Sequence, residues 1–144
     1  ENPAYPDLCC SGDLIWNNVK PGETVTGSFK VENCGDPDTL LNWNIIAPTS
    51  WGTWKFSPES GTGLTPHDGE VTVNVEVVAP SEAKADFSEK IRIENTENVQ
   101  DFCNVDVILK TSRTKTVTSL FSNLPVEISW IFDFIEILLR LIFT

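Results

Sequence analysis

Residues 70–78 read EVTVNVEVV, with Val71, Val73, Val75 and Val77 on one side and Thr72, Asn74 and Glu76 on the other. Successive side chains of a strand point to opposite faces, so this alternation describes a β-strand with one face buried and one in water. β-Branched valine at each inward position fits a pleated, half-buried surface.

The same period extends outward along the chain. In TVTGSFKVEN (24–33), Val25, Phe29 and Val31 share a face with Gly27 between them. LLNWNII (40–46) turns Leu41, Trp43 and Ile45 inward, and FCNVDVILKT (102–111) does so with Val105, Val107 and Leu109. FSEKIRIE (87–94) places Phe87, Ile91 and Ile93 inside, but Glu89 falls on the same face. A bulge or a later strand start is expected to move Glu89 out. DLIWNNV (13–19) and WGTWKF (51–56) bring the count to seven short strands. Pro21-Gly22, CGDPD (34–38) and PESGTGLTPHDG (58–69) read as turns and loops. Short, half-buried strands separated by turns predict an antiparallel β-sandwich, favoured over a closed barrel.

Twenty-one acidic and 10 basic side chains leave a net charge of −11. Nucleic acid requires a basic face, so it is excluded as the expected partner. The chain has no methionine and opens ENPAYPDL. The simplest reading is a mature secreted chain whose leader has been removed, with a trimmed chain as the alternative. Cys9, Cys10, Cys34 and Cys103 are its four cysteines. Adjacent cysteines seldom bond to each other, because a bridge needs separated, facing Cβ atoms. Cys9 and Cys10 are each expected to reach Cys34 or Cys103, with the pairing open. A zinc site is the rival, but the pair lacks the usual two- to four-residue spacer and the chain has one histidine.

The tail 124–144, LPVEISWIFDFIEILLRLIFT, resembles nothing else in the chain. From Ser129 its polar residues Asp133, Glu136, Arg140 and Thr144 follow at intervals of four, three, four and four. That is a narrow stripe on a helix otherwise apolar. A helix over about Pro125–Phe143 is predicted, with Pro125 in its first turn. It carries twelve Val, Ile, Leu or Phe residues plus Trp130. Exposing all of them would forfeit roughly 20–35 kcal/mol, so something is expected to cover them. The outer faces of the sandwich strands read as polar, with no long apolar stripe to receive the helix. A bilayer would have to take in Asp133 and Glu136 near its centre, each at about 2.5–3.5 kcal/mol. Other copies of the helix are the expected partner, through Trp130, Ile131, Phe134, Ile135, Leu138, Leu139 and Ile142, with Asp133, Glu136 and Arg140 pairing across subunits. Membrane contact through this helix is the alternative.

The expected organisation is an N-terminal arm over 1–12, a sandwich over 13–111, a Ser/Thr-rich linker over 112–123 and the hydrophobic helix over 124–144.

Residues 51–109 carry a further cadence. A Trp-containing strand leads to a Gly-rich loop, an alternating Val strand, an Ala-Pro break, an aromatic, IRIEN and a last alternating strand. Over roughly residues 13–110 the chain resembles the immunoglobulin-like modules of secreted bacterial and archaeal proteins, BACON-type domains among them. The resemblance implies an immunoglobulin-like sandwich and a non-enzymatic role as a spacer, adhesion or carbohydrate-associated module. The antibody Cys–Trp–Cys pattern is not matched, because Cys34 and Cys103 lie at strand ends. The tail is no part of such modules.

No P-loop, dinucleotide fingerprint or HExxH motif occurs. His67, beside Asp68 in a turn-rich loop, is expected to be solvated rather than catalytic. Asp36, Asp38, Asp68 and Glu70 stand in acidic loops that match no EF-hand, and a turn role is favoured. No catalytic residue, metal or cofactor is assigned. Trp51 and Trp54 are the candidate sugar-stacking platform, against a core role. The expected function is that of an extracellular structural protein displaying immunoglobulin-like domains on an oligomer or filament.

Overall fold

The computed structural model describes residues 2–113 and 129–143. The chain divides into two compact units, Glu1–Thr114 and Lys115–Thr144.

The described residues of the first unit form nine strands: β1 Leu8–Ser11, β2 Leu14–Val19, β3 Thr24–Asn33, β4 Leu41–Ile46, β5 Thr53–Ser57, β6 Ser60–Leu64, β7 Val71–Val78, β8 Asp86–Asn95 and β9 Asn98–Thr111. One sheet runs β1-β3-β7-β5 and the other β2-β9-β8-β4-β6. Every pairing is antiparallel except β2 with β9. The two inner faces form the core predicted by the alternation. Phe29, Val31, Leu41, Trp43, Val73, Val75, Val77, Ile91, Ile93, Val105, Val107 and Leu109 are fully buried.

Two of the nine strands lie outside the seven expected. Residues 8–11, read as the end of an extended arm, pair with β3 from Leu8 opposite Asn33 to Ser11 opposite Lys30. The chain then crosses to the other sheet through Gly12 and Asp13. Residues 60–64, read as loop because SGTGL carries turn residues, form the edge strand β6. The physical reason is Trp43. A Cβ on Gly61 would come within 2.5 Å of the Trp43 indole nitrogen, so glycine here leaves space for a buried ring rather than marking a turn.

Glu89 is the second correction. β8 and β9 pair without interruption from Asp86 opposite Lys110 to Glu94 opposite Phe102, so no bulge intervenes. Glu89 stays on the inward side, opposite buried Val107. β4 pairs with β8 only as far as Ile46 opposite Arg92, and Ser50, on the loop leaving β4, donates a hydrogen bond to the Glu89 carboxylate. That bond, followed by one from the Lys90 backbone N–H, lowers the Glu89 pKa. A satisfied carboxylate tolerates the half-buried position.

The N-terminal arm is closely tied to the sandwich. Tyr5 N–H donates to Asp36 Oδ2 at 3.1 Å, and Asp36 N–H donates to Tyr5 O at 3.1 Å. Cys34 N–H donates to Asp7 O at 2.7 Å. The arm passes so close over Gly35 that a Cβ there would meet Tyr5 O at 2.4 Å. Buried Asn33 collects the surrounding strands. Its amide donates to Leu64 O at 2.9 Å and to Thr39, while its oxygen accepts from Asp7 N–H at 3.2 Å and Gly35 N–H at 3.0 Å. Two disulfides complete this end of the unit, Cys9–Cys34 and Cys10–Cys103.

In the second unit, Ser129–Ile142 form helix α1. The expected helical residues before Ser129, and the linker from 114, lie outside the described residues.

Candidate functional site

At 1.5 Å per residue, the 14-residue α1 is roughly 21 Å long. Its charged residues within 133–143 are Asp133, Glu136 and Arg140. At 100° per residue they fall within an arc of about 60°, the narrow stripe expected from the spacing. Arg140 Nη2 donates to Glu136 Oε1 at 3.1 Å, an ion pair one turn apart in the order that suits the helix dipole.

Among the described side chains from Asp133 onward, the remaining surface is apolar and, Leu139 apart, exposed. Phe134 is 63% exposed, Ile137 59%, Leu141 73% and Phe143 81%. Ile135, Leu138 and Ile142 are also exposed, and Leu139 is partly covered. Of the residues expected at the interface, Phe134, Ile135, Leu138 and Ile142 thus present free apolar surface. The side chains of Trp130 and Ile131, also expected there, lie outside the described residues. Ile137, Leu141 and Phe143, outside the expected group, are also well exposed. At 100° per residue they lie beside the polar stripe. Among the described residues, no helix is long and apolar enough to cross a membrane.

Trp51 and Trp54, the candidate aromatic platform, lie within one cluster of rings. Trp54 and Phe56 lie opposite Val77 and Val75 in the β5–β7 ladder, and so face inward. Their rings stack at 6.0 Å with planes 6° apart. Trp51 packs against Trp54 at 5.1 Å and Phe87 at 5.5 Å. The Trp54 indole N–H donates to Trp51 O at 2.9 Å. Trp51 and Trp54 are half-buried against the core. The Trp51 indole nitrogen is buried without a hydrogen-bond partner among the described residues.

His67 is exposed in a single 3-10 turn, Pro66–Asp68. Its neighbour Asp68 accepts from the Thr65 backbone N–H at 2.9 Å and the Thr65 hydroxyl at 2.7 Å, while Thr65 Oγ1 accepts from Asp68 N–H. These Thr65 bonds lower the Asp68 pKa. The arrangement is a capping box. Asp36 likewise serves the arm through Tyr5. Among the described residues, no group of three or more His, Cys, Asp or Glu side chains could hold a metal ion.

The outer face of the five-stranded sheet is less polar than the strand patterns suggested. Ile15 and Ile108 stand side by side in the β2–β9 register, 57% and 37% exposed. Further along, the Arg92 guanidinium lies 3.5 Å over the Phe102 ring and donates to Val99 O at 3.0 Å. Arg92 also pairs with Glu94.

No family model and no curated protein matches the sequence. Among solved structures, the ASH / PapD-like domain 7 of human CEP192 is similar with a TM-score of 0.52 and 15% identity, over 76% of this chain and 87% of that one. A mutant of the SrpA adhesin of Streptococcus sanguinis gives 0.49 and 15% identity, over 81% of this chain and 62% of that one. Domains 4 and 5 of the S-layer protein SbsC give 0.42 and 19%, over 74% and 53%. At such identities the CEP192 likeness is one of fold. With the topology above, it supports a two-sheet β-sandwich for the first unit, consistent with an immunoglobulin-like fold.

Proposed function

We propose that the protein is a non-enzymatic, extracellular structural protein that self-assembles through its C-terminal helix and displays immunoglobulin-like domains. The observation that carries this reading is α1. Its exposed Phe134, Ile137, Leu141 and Ile142, and Phe143 just beyond it, would each gain about 1.5–3 kcal/mol on full burial. A helix apolar around most of its circumference suits the interior of a bundle. Further copies of α1 supply a partner of identical chemistry. Repetition through a contact that does not close on itself yields a filament.

The two disulfides support an oxidising compartment, because such bonds persist mainly in secreted and cell-surface proteins. The resemblance to BACON-type modules supports a non-enzymatic role. The net charge of −11 keeps the displayed domains soluble and mutually repelling. Electron microscopy of unextracted native material tests the reading. Regular oligomers or filaments are expected. A chain that is recovered monomeric in detergent micelles, and only there, would instead be a membrane-anchored module.

A further inference from the structure

We infer that α1 pairs with α1 of a second copy in antiparallel orientation, with Asp133 of each helix meeting Arg140 of the other. The inference rests on the self-assembly reading and specifies its geometry.

Phe134, Ile137 and Leu141 follow one another at intervals of three and four, and all are well exposed. That spacing is the apolar seam of a helix pair, with Phe134 and Leu141 one heptad apart and Ile137 between them. Asp133 and Arg140 each immediately precede a seam residue. They therefore occupy the same flank, seven residues apart, or about 10.5 Å along the axis.

The charges on that flank decide the orientation. In a parallel pair, one flank of a helix lies beside the opposite flank of its partner. The opposite flank of α1 is Leu138, so Asp133 and Arg140 would meet no complementary charge. In an antiparallel pair, like flanks lie side by side. Centred near Ile137, this arrangement brings Asp133 against Arg140 of the second copy, and Arg140 against its Asp133. A two-fold axis makes the contact twice. Opposed helix dipoles favour the same orientation. The Arg140–Glu136 bond within the helix is compatible with it, because a guanidinium has five donors to distribute. The pair leaves Ile135 and Ile142, on the far side of the helix, uncovered, and these surfaces are where pairs stack into a larger bundle.

Charge reversal tests the geometry in the full-length chain. Asp133→Arg and Arg140→Asp are made separately, and sedimentation velocity is run on wild type, each variant and their equimolar mixture. Intact disulfides and an unchanged β-sheet spectrum confirm the fold in each. Each variant alone places like charges together and should dissociate at an about tenfold higher concentration than wild type. The mixture restores both opposite-charge contacts and should return to within about twofold of wild type. Equal association of all four samples, or weakened variants that do not recover on mixing, would overturn the antiparallel pairing while leaving assembly intact. A wild-type chain that stays monomeric throughout would overturn the assembly reading itself.

Discussion

The Cys10–Cys103 disulfide joins β1 of the four-stranded sheet to β9 of the five-stranded sheet, and so ties the two layers across their inner faces. It spans 93 residues, whereas its neighbour Cys9–Cys34 spans 25 and holds the arm to the β3–β4 loop. Closing a longer loop removes more entropy from the unfolded chain. On that basis the Cys10–Cys103 bond contributes about 5 kcal/mol and the Cys9–Cys34 bond about 3.5 kcal/mol. Urea unfolding of the Cys10→Ser/Cys103→Ser and Cys9→Ser/Cys34→Ser proteins should show the first as the less stable. The reverse order would remove the inter-sheet bond from its central structural role.

Asn33 links the arm, the β3–β4 loop and the end of β6 with one side chain. Asn33→Ala would leave Asp7 N–H, Gly35 N–H and Leu64 O without these partners. A loss of about 2–4 kcal/mol is expected, read as a lower urea midpoint at an unchanged slope. Hydrogen exchange should quicken first at Asp7 and Gly35. An unaltered midpoint would show that the network does not hold the arm.

Gly61→Ala should destabilise the sandwich by about 1–3 kcal/mol, because the added methyl group intrudes on the Trp43 indole. Near-ultraviolet circular dichroism should change with it, reporting a displaced tryptophan. Gly63 has nothing within 4 Å of its added Cβ, but its φ of +66° makes it a poor control. Thr62→Ala, at an exposed position of the same strand, serves instead and should leave both readouts unchanged.

Glu89 gives the sandwich a pH-dependent contact. Its folded pKa lies below the ordinary value, first through Ser50 and then through Lys90 N–H. A depressed carboxylate binds fewer protons folded than unfolded. Its stabilisation is therefore complete at neutral pH, above the unfolded value, and is lost as pH falls through the folded one. Wild type should be more stable than Glu89→Gln at pH 7, with the gap narrowing steadily on acidification. Urea midpoints measured from pH 7 to below the carboxylate range check this. A gap that is constant with pH would mean that Glu89 acts by packing alone.

Most of the sandwich was legible in the sequence because its strands alternate. Val71 to Val77 and Val105 to Leu109 have one face each and nowhere else to put it. β1 and β6 were not legible for a different reason. β6 is paired because Trp43 needs the space above Gly61, a relation between residues 18 positions apart that local pattern does not contain. β1 is four residues long and is held by disulfides and by Asp101, whose carboxylate accepts from Leu8 N–H at 3.1 Å. Trp51 and Trp54 were ambiguous between a platform and a core role, and the register of β5 against β7 turned Trp54 inward. The polar stripe of the tail was fully legible, since helical spacing alone places Asp133, Glu136 and Arg140 together. Which apolar residues border it required the angular position of Ile137 and Leu141 as well.

The C-terminal helix is proposed to make the protein assemble, while the sandwich folds without it. Sedimentation velocity of the full chain beside a chain ending at residue 123 tests both halves at once. The full chain should sediment as an oligomer or larger particle, and the shortened chain as a folded monomer with both disulfides formed. A full chain that sediments as a monomer, or a shortened chain that assembles equally well, would contradict assembly through the helix.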